Sequence, residues 1–147
     1  MKKSILVIAI LVGILNAIPS KAQMGIAYYP FQSIVSLNSD SEKLAWADLR
    51  METNTFISNL NFEINAMWNF IRKDRLNYYL GLGININPFY ALEELEATNG
   101  YLIHFGTRIK PFKKAENLQI AFEISPYLNT SFNAGQIRSL IGIAYNF

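Results

Sequence analysis

RLNYYLGLGININ, residues 75–87, alternates without a break. Its even positions are Leu76, Tyr78, Leu80, Leu82, Ile84 and Ile86, and its odd positions are Arg75, Asn77, Tyr79, Gly81, Gly83, Asn85 and Asn87. Successive side chains of a β-strand point to opposite faces, so this segment predicts a strand with one apolar face and one polar or small face. A helix repeats every ~3.6 residues and would scatter the same apolar side chains around its axis. Gly81, Gly83 and the asparagines oppose helix further.

The pattern recurs in both directions along the chain. In 117–129, Leu118, Ile120, Phe122, Ile124, Pro126 and Leu128 alternate with Asn117, Gln119, Ala121, Glu123, Ser125, Tyr127 and Asn129. In 59–70, Leu60, Phe62, Ile64, Ala66, Trp68 and Phe70 alternate with Asn59, Asn61, Glu63, Asn65, Met67 and Asn69. Tyr101, Ile103, Phe105, Thr107 and Ile109 oppose Leu102, His104, Gly106, Arg108 and Lys110, and Ile137 to Phe147 opposes Arg138 to Asn146 in the same way. Residues 44–53 set Ala45, Ala47, Leu49 and Met51 against Trp46, Asp48, Arg50 and Glu52. Residues 24–38 alternate weakly, and Pro30 interrupts them. Splitting that stretch at Pro30 into a short hairpin gives eight strands, the even number that bacterial single-chain barrels have.

Several of these runs exceed the ~5–6 residues of soluble strands and match the ~9–11 that a tilted membrane strand needs. Tight or polar links separate them: 72–75, 113–117 and 129–136, with the longest at 88–100 holding Glu93, Glu94 and Glu96. Glu93, Glu94 and Glu96 read as a solvated loop rather than a cation site. Only 16% of residues are charged while 51% are hydrophobic, against about 25% charged in ordinary soluble domains. No later stretch reaches the ~18 apolar residues of a membrane helix, so a membrane location demands a closed barrel.

Alternation does not say which face meets which medium. A soluble barrel turns its apolar face inward, whereas an outer-membrane barrel turns it to lipid. The polar face here carries Asn, Gly and charges of both signs, which suits a narrow lumen filled by ion pairs. The predicted lumen network is Asp48, Arg50, Glu52, Glu63, Arg75, Arg108, Glu123 and Arg138. Tyr78, Trp68, Phe70, Tyr101, Tyr145 and Phe147 sit near strand ends on the apolar face, as interfacial girdles do.

The N-terminal segment is an address. Lys2 and Lys3 precede an apolar run from Ile5 to Ile18, and Ser20 and Ala22 occupy the −3 and −1 positions of a small-x-small site. This is the layout of a secretory signal peptide, cleaved before Gln23. The expected organisation is therefore a signal peptide over 1–22 and a barrel domain over 23–147. There is no cysteine, which excludes a disulfide framework, a thiolate metal site, a cysteine nucleophile and a lipoprotein anchor.

Two resemblances follow from these residues. The Lys21-Ala22-Gln23 ending resembles signal peptides of the Bacteroidetes. The last strand, with Ile143, Tyr145 and terminal Phe147 on one face, resembles the C-terminal insertion signal of Gram-negative outer-membrane barrels. In pattern, residues 24–147 resemble small OmpA- or OmpX-like barrels, which implies an all-β, up-and-down antiparallel transmembrane barrel of about eight strands in the outer membrane. The same resemblance implies outer-membrane lipid and the barrel-insertion machinery as partners, and a monomer.

Motifs for chemistry are scarce. Gly81-Leu82-Gly83 lacks the third glycine and helix of a nucleotide fingerprint. The lone histidine, His104, excludes a histidine metal cluster. The net charge of +2 is too small to argue for nucleic acid. Small lipid-modifying barrels carry Ser, His and acid groups, and His104 could pair with Ser125 or Ser139 and with Glu123 or Glu63. Gly106, however, stands where the His-x-Ser pair of lipid A deacylases needs serine. The expectation is a structural or surface-interacting protein without catalytic residues or cofactors. The alternatives are a soluble periplasmic barrel binding an apolar ligand, and a lipid A-modifying hydrolase.

Overall fold

The computed structural model describes residues 23–54, 60–92 and 95–147. Residues 1–22, expected to be a signal peptide, and Asn59, Glu93 and Glu94 lie outside the described residues. Eight strands follow in chain order: β1 (Met24–Tyr29), β2 (Ile34–Ser39), β3 (Ala45–Glu52), β4 (Phe62–Lys73), β5 (Leu76–Ile86), β6 (Thr98–Ile109), β7 (Leu118–Asn129) and β8 (Gly135–Asn146), with one helical turn, α1 (Pro88–Leu92), between β5 and β6. Each strand pairs antiparallel with the next, and β1 pairs with β8 to close the barrel. The hairpin expected at Pro30 is present, with β1 and β2 six residues long on either side of it.

The register fixes the barrel's shape. Ile26 pairs with Leu37, and the ring continues through Leu49, Ile64, Ile84, Tyr101 and Leu128 to Gly135 on β8. Ile26 also pairs directly with Tyr145, ten residues further along β8. A stagger of that size tilts the strands by about 35–45° and leaves an interior that side chains can fill. From Ile26 to Leu128 every member of the ring is an exposed large hydrophobic residue.

Sidedness is marked, although a few apolar side chains, Ile34, Met67, Leu102 and Leu140 among them, are packed inside. Leu80, Leu82, Ile103, Phe122, Ile124 and Ile141 point outward, while Asp48, Arg50, Glu63, His104, Arg108 and Glu123 are buried inside. This is the reverse of a soluble barrel, whose apolar residues fill the centre. Outward aromatic side chains gather toward both ends. Phe70 lies 6.3 Å from Tyr78 and Tyr145 lies 5.4 Å from Phe147, at the end that holds the C-terminus. Tyr101 stacks on Phe132 at the other.

Pairing departs from simple alternation at three places, one of them the slip between Asn85 and Ile86 in the β5–β6 register. Asn69 pairs with Tyr79 and Ile71 with Tyr78, so Phe70 is the extra residue of a bulge. A bulge resets parity, which turns both Phe70 and Ile71 outward. β4 then runs on to Lys73, so Arg72 and Lys73 belong to the strand rather than to the turn. Pro126 has no N–H to give, and the β6–β7 register skips Ile103 and His104 beside it.

Candidate functional site

Met24 and Phe147 lie at the lower end of the barrel and α1 at the upper end. Three levels fill the space between.

The lower level is a stopper made by the β2–β3 turn. Asp40 and Ser41 are buried. The Asn69 amide donates to the carbonyls of Ser41 (2.8 Å) and Lys43 (2.6 Å) and so holds the turn inside the rim. Ser41 also meets Asn146, and Lys110 Nζ closes on Glu42 at 2.6 Å.

The middle level is a charge cluster. Arg50 donates from Nη1 and Nη2 to the two oxygens of Glu123 (2.6 and 2.8 Å), and its Nε donates to Asp48 at 2.7 Å. Asp48 also accepts from the Ser36 hydroxyl, and Tyr79 Oη donates to Glu123 at 2.7 Å. The paired, planar geometry of guanidinium on carboxylate makes these charge-assisted bonds strong and directional. Arg108 is buried, and its guanidinium has no hydrogen-bond partner among the described residues. It lies instead 4.6 Å from the Trp46 ring centroid, a cation–π arrangement. Arg138 donates to Glu63 at 2.7 Å. Asp48, Glu63 and Glu123 therefore face Arg50, Arg108 and Arg138, and their formal charges cancel.

His104 sits against this cluster. Its Nδ1 lies 2.9 Å from Glu123 Oε1 and 3.1 Å from Ser125 Oγ, and its Nε2 lies 2.9 Å from Asn65 Oδ1. The serine, histidine and acid considered from the sequence do converge. A catalytic relay, however, places the acid on one imidazole nitrogen and the nucleophile on the other. Here Ser125 and Glu123 share Nδ1, and all three side chains are buried. Gly83 makes room for this contact, because a Cβ there would collide with the Asn65 amide.

The upper level is a polar chamber of about 600 Å³. The Asn99 amide bridges Asn61 (2.8 Å) and Asn85 (2.9 Å), and Tyr127 Oη donates to the Asn99 carbonyl at 2.8 Å.

Six of the eight expected lumen residues are thus inside: Asp48, Arg50, Glu63, Arg108, Glu123 and Arg138. Glu52 is half-buried and lines the chamber at the upper rim, with Asn61 as its hydrogen-bond partner. Arg75 corrects the expectation. It has the right parity but lies below β5 in the two-residue turn, exposed, donating to the carbonyls of Lys110 and Pro111. Tyr79 and Trp46, which share the polar face by parity, are part of the cluster and were not named for it. Ile143, Tyr145 and Phe147 share the outer face of β8 and are exposed.

Comparison with family models, curated proteins and solved structures returned no match. Among the described residues no group of three or more His, Asp or Glu side chains could hold a metal ion.

Proposed function

We propose that this chain is a small integral outer-membrane β-barrel protein of a Gram-negative bacterium, exported by residues 1–22, with a structural or surface-interaction role. The observation that carries this reading is the inverted sidedness: an apolar outer wall around an interior of paired charges. Soluble monomers rarely expose contiguous apolar patches beyond a few hundred Å². Here the outer wall is apolar around the ring from Ile26 to Leu128.

The dimensions agree. At about 3.3 Å per residue and a tilt near 40°, the rise from Leu118 to Leu128 spans about 25 Å, the height of an outer-membrane apolar band. Aromatic pairs at both ends suit the two interfaces. Ile143, Tyr145 and Phe147 offer the insertion machinery the expected C-terminal face. The chain acts as a monomer, since closure leaves it no unpaired sheet edge around its lower half.

Membrane fractionation tests the reading. The protein stays in the sarkosyl-insoluble pellet and changes gel mobility on boiling; recovery in osmotic-shock fluid overturns it. Catalysis forms no part of this reading, because Ser125 and His104 are sealed from both lipid and solvent. Purified protein leaves the acyl chains of lipopolysaccharide in place. Acyl release that His104→Ala abolishes would replace the structural role with an enzymatic one.

A further inference from the structure

The barrel wall is not equally tall all round. β8 pairs with β7 from Gly135 to Tyr145, but with β1 only from Ile143 to Asn146. The β1–β2 hairpin turns at 30–33, so above it the edge of β8 has no neighbouring strand among the described residues. The Ser139 carbonyl faces that edge and is taken by the Gln32 side-chain amide at 2.7 Å. By the two-residue period, Ile137 and Gly135 direct their N–H and C=O groups the same way. Six residues at about 3.3 Å and 40° of tilt reach only about 15 Å, so the hairpin tip stops within the apolar band rather than above it. Unpaired backbone facing hydrocarbon costs several kcal/mol per group, so whatever fills the gap must present polar atoms to the bare edge of β8.

The gap stands beside the upper chamber, whose lining includes Gln136 and Arg138 of β8. The rest of the lining comes from the β3 rim round to β7. No lining residue comes from β1 or β2. Outside the gap the surface is apolar: Phe31 is 77% exposed and Ile137 76%. A polar chamber beside an apolar surface has the two chemistries of an amphiphile.

The charge of the chamber selects the head. Arg138 pairs through Nη1 with Glu63 at 2.7 Å, which balances its charge, while its Nε has no hydrogen-bond partner among the described residues. Glu52 lines the chamber without an ion-pair partner among the described residues. The lining is otherwise amides and phenols. A net negative site repels phosphate, while amides both donate to and accept from hydroxyl groups.

We propose that the upper chamber and the gap beside it hold the uncharged, hydroxyl-rich head of an amphiphile, a glycolipid in chemical class, with head hydroxyls against the bare edge of β8 and the chain running outside over Phe31 and Ile137. This rests on the membrane reading above.

The test uses the isotope-labelled protein in phosphatidylcholine nanodiscs and follows the Asn and Gln side-chain amide resonances. Dodecyl maltoside, added at low mole fraction, shifts Asn61, Asn85, Asn99 and Gln136 saturably and leaves Asn65 and Asn69 in place. Free maltose binds at least about tenfold more weakly because it forfeits burial of the chain. Phosphatidylglycerol produces no such shift. Gln136→Leu, at an exposed position that leaves the barrel intact, and Asn85→Ser each weaken the maltoside response about fivefold or more. Three results overturn the inference in a chain that has inserted: no saturable shift, an equal response to maltose, or an equal response to phosphatidylglycerol. So does indifference to both variants. A chain that does not enter the nanodisc overturns the membrane reading instead.

Discussion

Below the level of Arg50 the lumen is closed by side chains that hold one another, whereas above Arg138 it widens into a chamber whose wall is incomplete. Both halves are built from the same alternating strands. The difference comes from two short connections. The β2–β3 turn folds into the lower end and is clamped there by Asn69. The β1–β2 hairpin ends early and leaves the upper end open on one side. Strand periodicity sets which residues face inward; loop length sets whether the space they face is filled.

Substitutions can break this contrast, and the largest effect belongs to the middle level. Arg50→Ala strands Asp48 and Glu123 without their counter-ion and costs about 3–5 kcal/mol, read by urea unfolding in detergent micelles. Arg138→Ala, beside the water of the chamber, costs about 1–2 kcal/mol in the same assay. Equal losses at the two sites would erase the distinction between a sealed and a hydrated half. Gly106→Ala comes next: its Cβ would collide with the Tyr79 ring and the Phe122 carbonyl. Because backbone bounds one side, the overpacking costs about 1–3 kcal/mol and loosens the Tyr79–Glu123 bond. Asn69→Ala releases the stopper turn for about 1–2 kcal/mol. It also raises single-channel leak in planar bilayers, where the unaltered protein carries no steady porin-sized current. An unchanged leak would mean that the charge cluster, not the turn, closes the barrel. The smallest effect is at the lower rim, where Glu42→Gln removes a partly exposed ion pair worth about 1 kcal/mol or less, a loss that shrinks as salt is added.

Much of the architecture was legible in the sequence, because side-chain parity is a strict consequence of strand geometry. Residues 75–87 and 117–129 declared their faces most plainly, and the six inward charges followed from the same parity read along all the alternating segments. Arg75 shows the limit: parity says which way a residue points but not where the sheet stops. The Phe70 bulge was hidden for a related reason, since an inserted residue changes phase without changing composition. Tyr79 and Trp46 were placed on the polar face, yet aromatic side chains there look like exceptions until Arg108 and Glu123 are seen beside them. The convergence of His104, Ser125 and Glu123 was foreseeable as a possibility. That both partners crowd one nitrogen depends on rotamers, which no periodicity encodes. The chamber left no signature in the strands, because it exists through the shortness of β1 and β2.

Phe147 donates its N–H to the Met24 carbonyl at 2.7 Å, joining the last described strand to the first. Seven of the eight seams join strands that are consecutive in the chain. The eighth is made by partners more than a hundred residues apart. It is also among the shortest, with pairing from Gly25 to Tyr28 alone. Zipping hairpin by hairpin therefore yields a curled sheet with two open margins until the final segment arrives. Closure of the wall depends on this short stitch, and a chain cut before Ile143 would remain an unclosed ribbon.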